Sequence, residues 1–319
     1  MPVTLADMMK TAPDKKHKAL VWALAYQSQL MERIPFTGVK SLTVTALRQS
    51  TVEDASFRDI GEGYGETVVA TEKVTESIAP MGGTFDMDRI YTELDEEPVA
   101  MRGIQLKSKL KSIRYKFHDT FINGDRTTQP KGWDGVKRRI DDLPATTKSK
   151  VLLTGGTNGL DPKGAGSSNH SFLDKMNQAM YALPDGKCDL ILCNDDGFLL
   201  FESVLRRSNL LDNTKDMFGR DIRSYRGARI VDVGTKGDQT TKIITSAEVE
   251  GSATTCTSFY FVRLGVNEHL GGLQLHAPKI VWDGVKDDGV TKRVVVEWPC
   301  GIALWHPRSV ARLKGIIVS

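Results

Sequence analysis

Apolar residues recur at helical spacing soon after the start of the chain. Residues 15–34 place four of them on one face: Leu20, Leu24, Met31 and Ile34. This spacing predicts a helix, and Pro35 ends it because proline cannot continue a helix. Residues 1–14 lack the pattern and are predicted to form an arm that becomes ordered only through contact with another molecule.

The pattern changes between residues 42 and 80. Both flanks are rich in valine and threonine, which favour strands, and three alternating glycines lie between them: Gly61, Gly63 and Gly65. These features predict a long β-hairpin, one arm of which, at about 19 residues, reaches roughly 60 Å. A compact chain of this length has a radius of gyration of only about 20 Å. The hairpin is therefore expected to project towards another molecule, and an ordinary meander with an unusual loop is the alternative.

A third pattern predicts a long helix over residues 97–122. Pro98 suits its first turn, and the Asn-Gly-Asp turn at 123–125 ends it. One apolar stripe runs along this helix: Val99, Leu106, Leu110, Ile113, Phe117 and Phe121. The opposite stripe is basic and contains Lys107, Lys111 and Arg114.

The remainder of the chain mixes helices and strands. Helices are predicted at 171–182 and 197–207, a strand at 189–193, and mainly strands from 223 onwards. Helices and strands do not alternate regularly, as they do in a doubly wound parallel sheet. The predicted fold class is therefore α+β.

Composition narrows the class of protein without naming a function. The 319 residues are 40% hydrophobic and 26% charged, an ordinary globular balance, and the net charge of +3 favours no particular partner. Four cysteines form no C-x-x-C pair, so neither a disulfide framework nor a metal site is predicted, and a reducing compartment is expected. No apolar run approaches the ~20 residues that span a membrane, so no membrane association is predicted.

A glycine-rich segment at 151–164 raises the alternative of a nucleotide-binding enzyme. Its Thr-Gly-Gly-Thr-Asn-Gly stretch resembles the phosphate loop of short-chain dehydrogenases. However, Asp161 replaces the last glycine of that motif, and the next helix is expected about ten residues too late, capped by Asn169 or Ser171. The catalytic Tyr-x-x-x-Lys pair of that family is also missing, because Asp185 follows Tyr181 at that spacing. The glycines are therefore expected to form a mobile loop, and no cofactor is predicted.

Other chemistry-bearing residues form no evident set. The six histidines are scattered, so no metal site is predicted. The acid pairs at 195–196 and 287–288 each flank a glycine and are interpreted as solvated turn residues. No catalytic residues are assigned.

Charge distinguishes the hairpin from the long helix. Residues 42–80 contain seven acids against three bases, a net charge of −4, whereas residues 99–118 contain six bases and no acid. The basic stripe has three interpretations: a solvated face, a surface for an acidic protein partner, or a surface for nucleic acid backbone. If copies of the chain meet, the acidic hairpin of one copy can lie on the basic helix of its neighbour. The contact candidates are Arg58, Asp59, Glu62, Tyr64 and Glu66 at the hairpin tip, and Lys107, Lys111 and Arg114 on the helix.

The segments DTFINGD (119–125) and QPKGWDGVKRRI (129–140) resemble a signature of tailed-bacteriophage major capsid proteins, which share the Hong Kong 97-like fold. The residues that carry this resemblance are Phe121, Gly124, Asp125, Pro130, Gly132 and Gly135, with Trp133 where phenylalanine or leucine is common. Segments 81–94, 225–234 and 301–316 are similar to further parts of the family pattern. The resemblance extends over residues 36–319.

This resemblance implies a domain organisation. It implies an N-terminal arm with a helix (1–35), an extended β-hairpin E-loop (36–84), and a P-domain with a long spine helix (85–145). An A-domain (mainly 146–255) and a β-rich return to the P- and A-domains (256–319) complete it. The resemblance implies a structural role, not an enzymatic one.

The resemblance also implies partners. Copies are expected to assemble as hexamers and pentamers into an icosahedral shell that encloses double-stranded DNA through nonspecific contacts. A separate scaffolding protein is expected, since the chain starts directly at the arm, together with a portal and possible decoration protein. The expected location is the virion, after assembly in the cytoplasm of the host bacterium. Covalent crosslinking is not predicted, because Lys73 is the only lysine in 42–80 and lies away from the tip. The alternative is the shell of an encapsulin-like cellular nanocompartment.

Overall fold

The computed structural model describes residues 4–5, 7–8, 15–49, 55, 57–64, 71–93, 98–163, 167–209, 212–215, 219 and 221–318. Its strands form a five-stranded sheet, an eight-stranded sheet and a two-stranded hairpin, with helices packed on the two larger sheets. This mixture of helices and strands is the α+β class that the sequence predicts.

The strands in chain order are β1 (Phe36–Gly38), β2 (Thr43–Gln49), β3 (Thr71–Ser77), β4 (Ala79–Asp88), β5 (Leu152–Thr154), β6 (Leu190–Cys193), β7 (Asp212–Lys215), β8 (Asp221–Tyr225), β9 (Ala228–Asp232), β10 (Glu248–Glu250), β11 (Ala253–Val262), β12 (Leu270–Gln274), β13 (Lys279–Val285), β14 (Thr291–Leu304) and β15 (Val310–Ile317). The helices are α1 (Lys15–Gln27), α2 (Gln29–Arg33), α3 (Ile90–Glu93), α4 (Pro98–Asn123), α5 (Val136–Asp141), α6 (Ala145–Val151), α7 (Ser167–Ala182) and α8 (Asp195–Arg207), with a 3₁₀ turn at Pro184–Gly186.

The five-stranded sheet is organised around β14. Its order is β1-β12-β14-β13, and β4 also pairs with β14. Every residue of β4 has a partner on this strand, from Ala79 opposite Cys300 to Asp88 opposite Thr291. β1 and the first residues of β4, which the sequence groups with the hairpin region, are therefore strands of this sheet.

The eight-stranded sheet has the order β5-β15-β11-β6-β9-β8-β7, with β10 paired to β11. Its strands come from residues 152–262 and then from 310–317. The intervening strands, β12 to β14, belong to the other sheet. After β11 the chain thus leaves the eight-stranded sheet and forms β12, β13 and β14 of the five-stranded sheet. It then returns to the eight-stranded sheet as β15.

The predicted long helix is present as α4, which packs against β4. Four residues of its predicted apolar stripe are buried: Leu110, Ile113, Phe117 and Phe121. The Phe117 ring lies 5.2 Å from that of Trp298 and 5.7 Å from that of Trp133, measured between centroids. Aromatic packing of this kind attaches the helix to the sheet.

The predicted helix at 15–34 is two helices, because the chain breaks at Ser28. Ser28 has an extended backbone, and its hydroxyl accepts a hydrogen bond from the Met31 amide, so it caps α2. The apolar spacing continues across the break, which explains why the periodicity does not reveal it. The expectation for the arm is also wrong at Leu5, which is completely buried in the core of its own chain.

Candidate functional site

The predicted hairpin is formed by β2 and β3. Seven residue pairs run in antiparallel register from Thr43 opposite Ser77 to Gln49 opposite Thr71. In the part of the chain that the structure describes, neither strand pairs along its backbone with a strand of the larger sheets. The hairpin therefore forms a separate two-stranded ribbon, a form that is only marginally stable without further contacts.

The described part of the hairpin tip is held by Arg58. Its guanidinium donates to the backbone carbonyls of Asp59, at 3.3 Å, and Glu62, at 3.2 Å. The same group lies 5.1 Å from the centre of the Tyr64 ring. Arg58, Asp59, Glu62 and Tyr64 thus lie together on the tip, whereas Glu66 lies outside the described residues. Phe57 and Ile60, which the sequence reasoning did not select, are fully exposed on this tip.

The root of the hairpin contains a buried ion pair. The Glu76 carboxylate faces the Arg139 guanidinium, which donates to both oxygens; the bond from Nη2 to Oε2 is 2.6 Å long. The Leu304 amide donates to the same carboxylate at 3.0 Å, and Arg139 Nη2 also donates to the Ile302 carbonyl at 2.9 Å. These contacts join the hairpin strand β3 to helix α5 and to strand β14.

The sequence signature at 121–135 forms the turn that positions Arg139. Gly124 donates to the Thr120 carbonyl, and Gly135 donates to the Gly124 carbonyl at 2.8 Å. A Cβ atom on Gly124 would lie 2.4 Å from the backbone oxygens of both Thr120 and Trp133, so only glycine fits there. Gly135 precedes the first residue of α5, and this helix carries Arg139 to the hairpin root.

The other signature residues support the same turn. Asp125 accepts hydrogen bonds from the amide and hydroxyl of Thr127, which hold the pKa of its carboxyl below the usual range. Phe121 and Trp133 are buried in the core, Gly132 is half-buried, and Pro130 is exposed. The signature is therefore a structural feature that ends the long helix and starts the next.

The basic stripe of α4 is only partly available to a partner. Lys107 is exposed, and the Lys111 ammonium lies 3.5 Å from the Gln239 side-chain oxygen. Arg114 is half-buried, donates to the Gln27 carbonyl at 3.0 Å, and lies 4.6 Å from the Tyr115 ring centre. Arg114 thus fixes the end of α1 inside its own chain, a role that its charge alone does not reveal.

An aromatic pair on α1 is a surface feature that the sequence reasoning missed. The Trp22 and Tyr26 rings stack with their centroids 4.9 Å apart and their planes 13° from parallel. The two side chains remain 44% and 43% exposed. Their spacing of four residues, out of phase with the buried residues of the helix, is the signal that identifies this outer face.

The glycine-rich segment is tied to the eight-stranded sheet instead of forming a mobile loop. The Gly155 amide donates to the Lys314 carbonyl, and the Leu160 amide donates to the Gly315 carbonyl. Gly159 has a φ of +76°, and a Cβ there would press on Ile317 and Cys256. The next described helix begins at Ser167, not at the predicted caps Asn169 or Ser171. The glycines therefore allow close packing against β15.

One of the two acid pairs differs from its predicted environment. Asp195 and Asp196 lie in the first turn of α8, where Asn194 caps the helix, and both pair with Lys242. The hydrogen bond from Lys242 lowers the pKa of Asp196. Asp288 does lie in a turn and accepts from the amides of Val290 and Thr291. Over the described residues, no cluster of three potential metal ligands and no helix able to cross a bilayer is found.

A family model described as major capsid protein GP7 matches residues 12–197, more than half of the chain. No curated protein sequence matches the chain significantly.

Solved structures share its fold at low sequence identity. The holo-SrpI encapsulin complex from Synechococcus elongatus PCC 7942 matches at 12% identity and a TM-score of 0.63, covering 91% of this chain and 88% of the other. The capsid of the native GTA particle matches at 12% identity and a TM-score of 0.58, covering 92% and 90%. The structure of Mycobacterium phage Bobi matches at 10% identity and a TM-score of 0.55, covering 91% of this chain and 89% of the other. At these identities the likeness demonstrates the Hong Kong 97-like fold alone.

Proposed function

The chain belongs to the major capsid protein GP7 family, and we propose that its copies assemble as hexamers and pentamers into the icosahedral head of a tailed DNA bacteriophage. The family match over residues 12–197 is the observation that carries this proposal. A capsid subunit is a structural protein, and we assign it no enzymatic activity and no cofactor. The chain has the Hong Kong 97-like fold, which is compatible with shell assembly.

The geometry of the subunit supports a specific mode of assembly. The β2–β3 hairpin carries two fully exposed apolar residues, Phe57 and Ile60, away from the core. Burying such residues against a neighbour removes apolar surface from water, which favours association. The exposed basic residues Lys107 and Lys111 offer a second contact surface on α4. Many moderate contacts per subunit then combine through multivalency, and closed symmetry makes the shell finite.

Further partners belong to the same proposal. One structure with a related fold is the procapsid of satellite phage P4, which includes the size determination protein Sid; its TM-score is 0.51 at 10% identity. For this chain we expect a separate scaffolding protein, a portal, nonspecific contact with packaged double-stranded DNA, and in some shells a decoration protein. We place assembly in the host bacterial cytoplasm and the final location in the virion shell.

A nanocompartment shell is the second candidate, favoured by the TM-score of 0.63 to an encapsulin. That likeness concerns the fold, whereas the family match concerns a capsid sequence pattern, and we therefore prefer the capsid. The neighbouring genes separate the two candidates. Terminase and portal genes support a phage head, and a gene for an enzyme cargo supports a nanocompartment.

Electron microscopy together with sedimentation velocity tests the proposal. The chain is expressed alone and then with a candidate scaffolding protein encoded near it. We expect capsomer rings or closed shells of tens to hundreds of subunits in at least one preparation. A persistent monomer or dimer in both would overturn the proposed function.

A further inference from the structure

We propose that the hairpin tip of one copy docks on the outer face of helix α1 of a neighbouring copy, around Trp22 and Tyr26. The inference rests on the proposed function, because it names the surface that receives the hairpin in the shell. It differs from the simpler expectation, drawn from charge alone, that the hairpin lies on the basic stripe of α4.

The tip has the composition of a surface that is buried by a partner. Phe57 and Ile60 are fully exposed, and Tyr64 is largely exposed. Arg58 orders the backbone between them through its bonds to the carbonyls of Asp59 and Glu62. Burying these exposed apolar side chains against a neighbouring copy removes their surface from water, which favours association.

The α1 face offers matching chemistry. Tryptophan and tyrosine are enriched among the residues that dominate binding energy at interfaces, since they bury a large apolar area and retain a polar group. Trp22 and Tyr26 are stacked and therefore already ordered, with more than two fifths of each side chain exposed. Ala19, one turn earlier on the same side, is exposed and small, so a partner side chain can approach the rings.

The two sequence segments carry opposite charge. Residues 53–66 of the hairpin contain five acids and one arginine, whereas residues 15–27 contain three lysines and no acid. Lys18 is exposed one turn before Trp22, on the same side of the helix. Complementary charges around an apolar centre favour correct register and suppress wrong pairings. A second copy of this chain thus carries both the apolar and the acidic groups that the α1 face fits.

The basic stripe of α4 fits the tip less well. Arg114 already donates to the Gln27 carbonyl, and Lys111 lies beside Gln239, so moving either cation to a partner breaks contacts within the subunit. Among the described side chains, Ile104 is a large exposed apolar residue near this stripe, whereas α1 presents two stacked aromatic rings. The α1 face is therefore the better acceptor for an apolar tip.

Engineered disulfides test this placement directly. Ile60→Cys is combined with Ala19→Cys in one variant and with Lys107→Cys in a matched control, and both are assembled into shells and oxidised. All four native cysteines are buried, which limits background crosslinking. We expect a ladder of covalent multimers on a non-reducing gel for the 60–19 pair in shells, none for the same protein kept dissociated, and a far weaker ladder for the 60–107 pair.

Removal of the aromatic rings provides the second test. Trp22→Ala combined with Tyr26→Ala is expected to raise the subunit concentration needed for assembly at least tenfold. The control Tyr181→Ala removes another exposed aromatic residue and is expected to leave that concentration within twofold. Urea unfolding of dissociated subunits verifies that both variants remain folded.

The outcomes separate this inference from the proposed function. If the unmodified chain forms no shells or capsomers, the proposed function fails. If shells form and the 60–107 pair crosslinks better than the 60–19 pair, or neither pair crosslinks, the docking inference is overturned while the capsid assignment stands. Unchanged assembly of the double alanine variant likewise overturns the docking inference alone.

Discussion

Replacing Arg139 by methionine isolates the energetic role of the hairpin root. The substitution keeps a long side chain but removes the cation that donates to both oxygens of the Glu76 carboxylate. The two side chains are only 13% and 6% exposed, so water cannot easily replace the lost donor. Glu76 is left with the Leu304 amide as its described donor, at 3.0 Å.

The expected cost follows from this burial. Removing one partner of a buried ion pair typically costs about 3–5 kcal/mol, because the remaining charge stays uncompensated. Arg139→Met is therefore expected to lower the free energy of unfolding by that amount. The double variant Glu76→Leu, Arg139→Met removes both charges and leaves chiefly the Leu304 amide unsatisfied, at about 1–3 kcal/mol. It is thus expected to be more stable than the single Arg139 variant.

Urea denaturation of dissociated subunits, followed by tryptophan fluorescence, measures these differences. The neighbouring Arg138 supplies a matched control: it pairs with Asp142 at 2.9 Å, but both side chains are at least 40% exposed. Arg138→Met is expected to change the free energy of unfolding by less than about 1 kcal/mol. A loss below about 1 kcal/mol for Arg139→Met, or simple additivity in the double variant, refutes the reasoning.

Two further predictions concern the long helix and the turn that ends it. Gly124→Ala is expected to lower the free energy of unfolding by about 3 kcal/mol or more, because the new Cβ would meet two backbone oxygens at 2.4 Å. Gly103→Ala, whose Cβ would meet nothing within 4 Å, is expected to raise it by up to about 1 kcal/mol; urea unfolding measures both changes, and equal effects would contradict the packing argument. Burial lowers the pKa of His118 from 6.5 to about 4, so the unfolded chain binds its proton first and stability is lost as the pH falls from about 6.5 towards 4. The full loss is about 3 kcal/mol, and His118→Gln is expected to flatten this part of the pH–stability curve; identical curves for both proteins would reject the assignment.

The sequence predicts those elements whose signal is local and strong. Helix α4 has a proline at its start, a long apolar stripe along it and a turn signal at its end. The observed helix, Pro98–Asn123, begins at that proline and ends at the first residue of the turn signal. The hairpin is predicted because its valine- and threonine-rich flanks surround glycines. The break at Ser28 is not predicted, since the apolar spacing continues through it and the capping serine looks like any polar helix residue.

The remaining features depend on contacts distant in sequence. In the sequence Arg114 looks like one cation of a surface stripe. Only the structure shows that it donates a hydrogen bond to the Gln27 carbonyl of the same chain. Likewise, Glu76 counts towards the acidity of the hairpin in the sequence, but it is buried against Arg139, which lies 63 positions later in the chain. Trp22 and Tyr26 lie out of phase with the apolar stripe of their helix, but only the structure shows that their rings stack on its outer face.

The continuity of β3 and β4 determines how the subunit responds to mechanical force. β3 ends at Ser77 and β4 begins at Ala79, so tension applied at the hairpin tip passes along the chain into the ten-residue ladder between β4 and β14. A pull along these strands shears the rungs together instead of peeling them open one after another. A closed container stretched from within would therefore resist rupture through a cooperative ladder in every subunit.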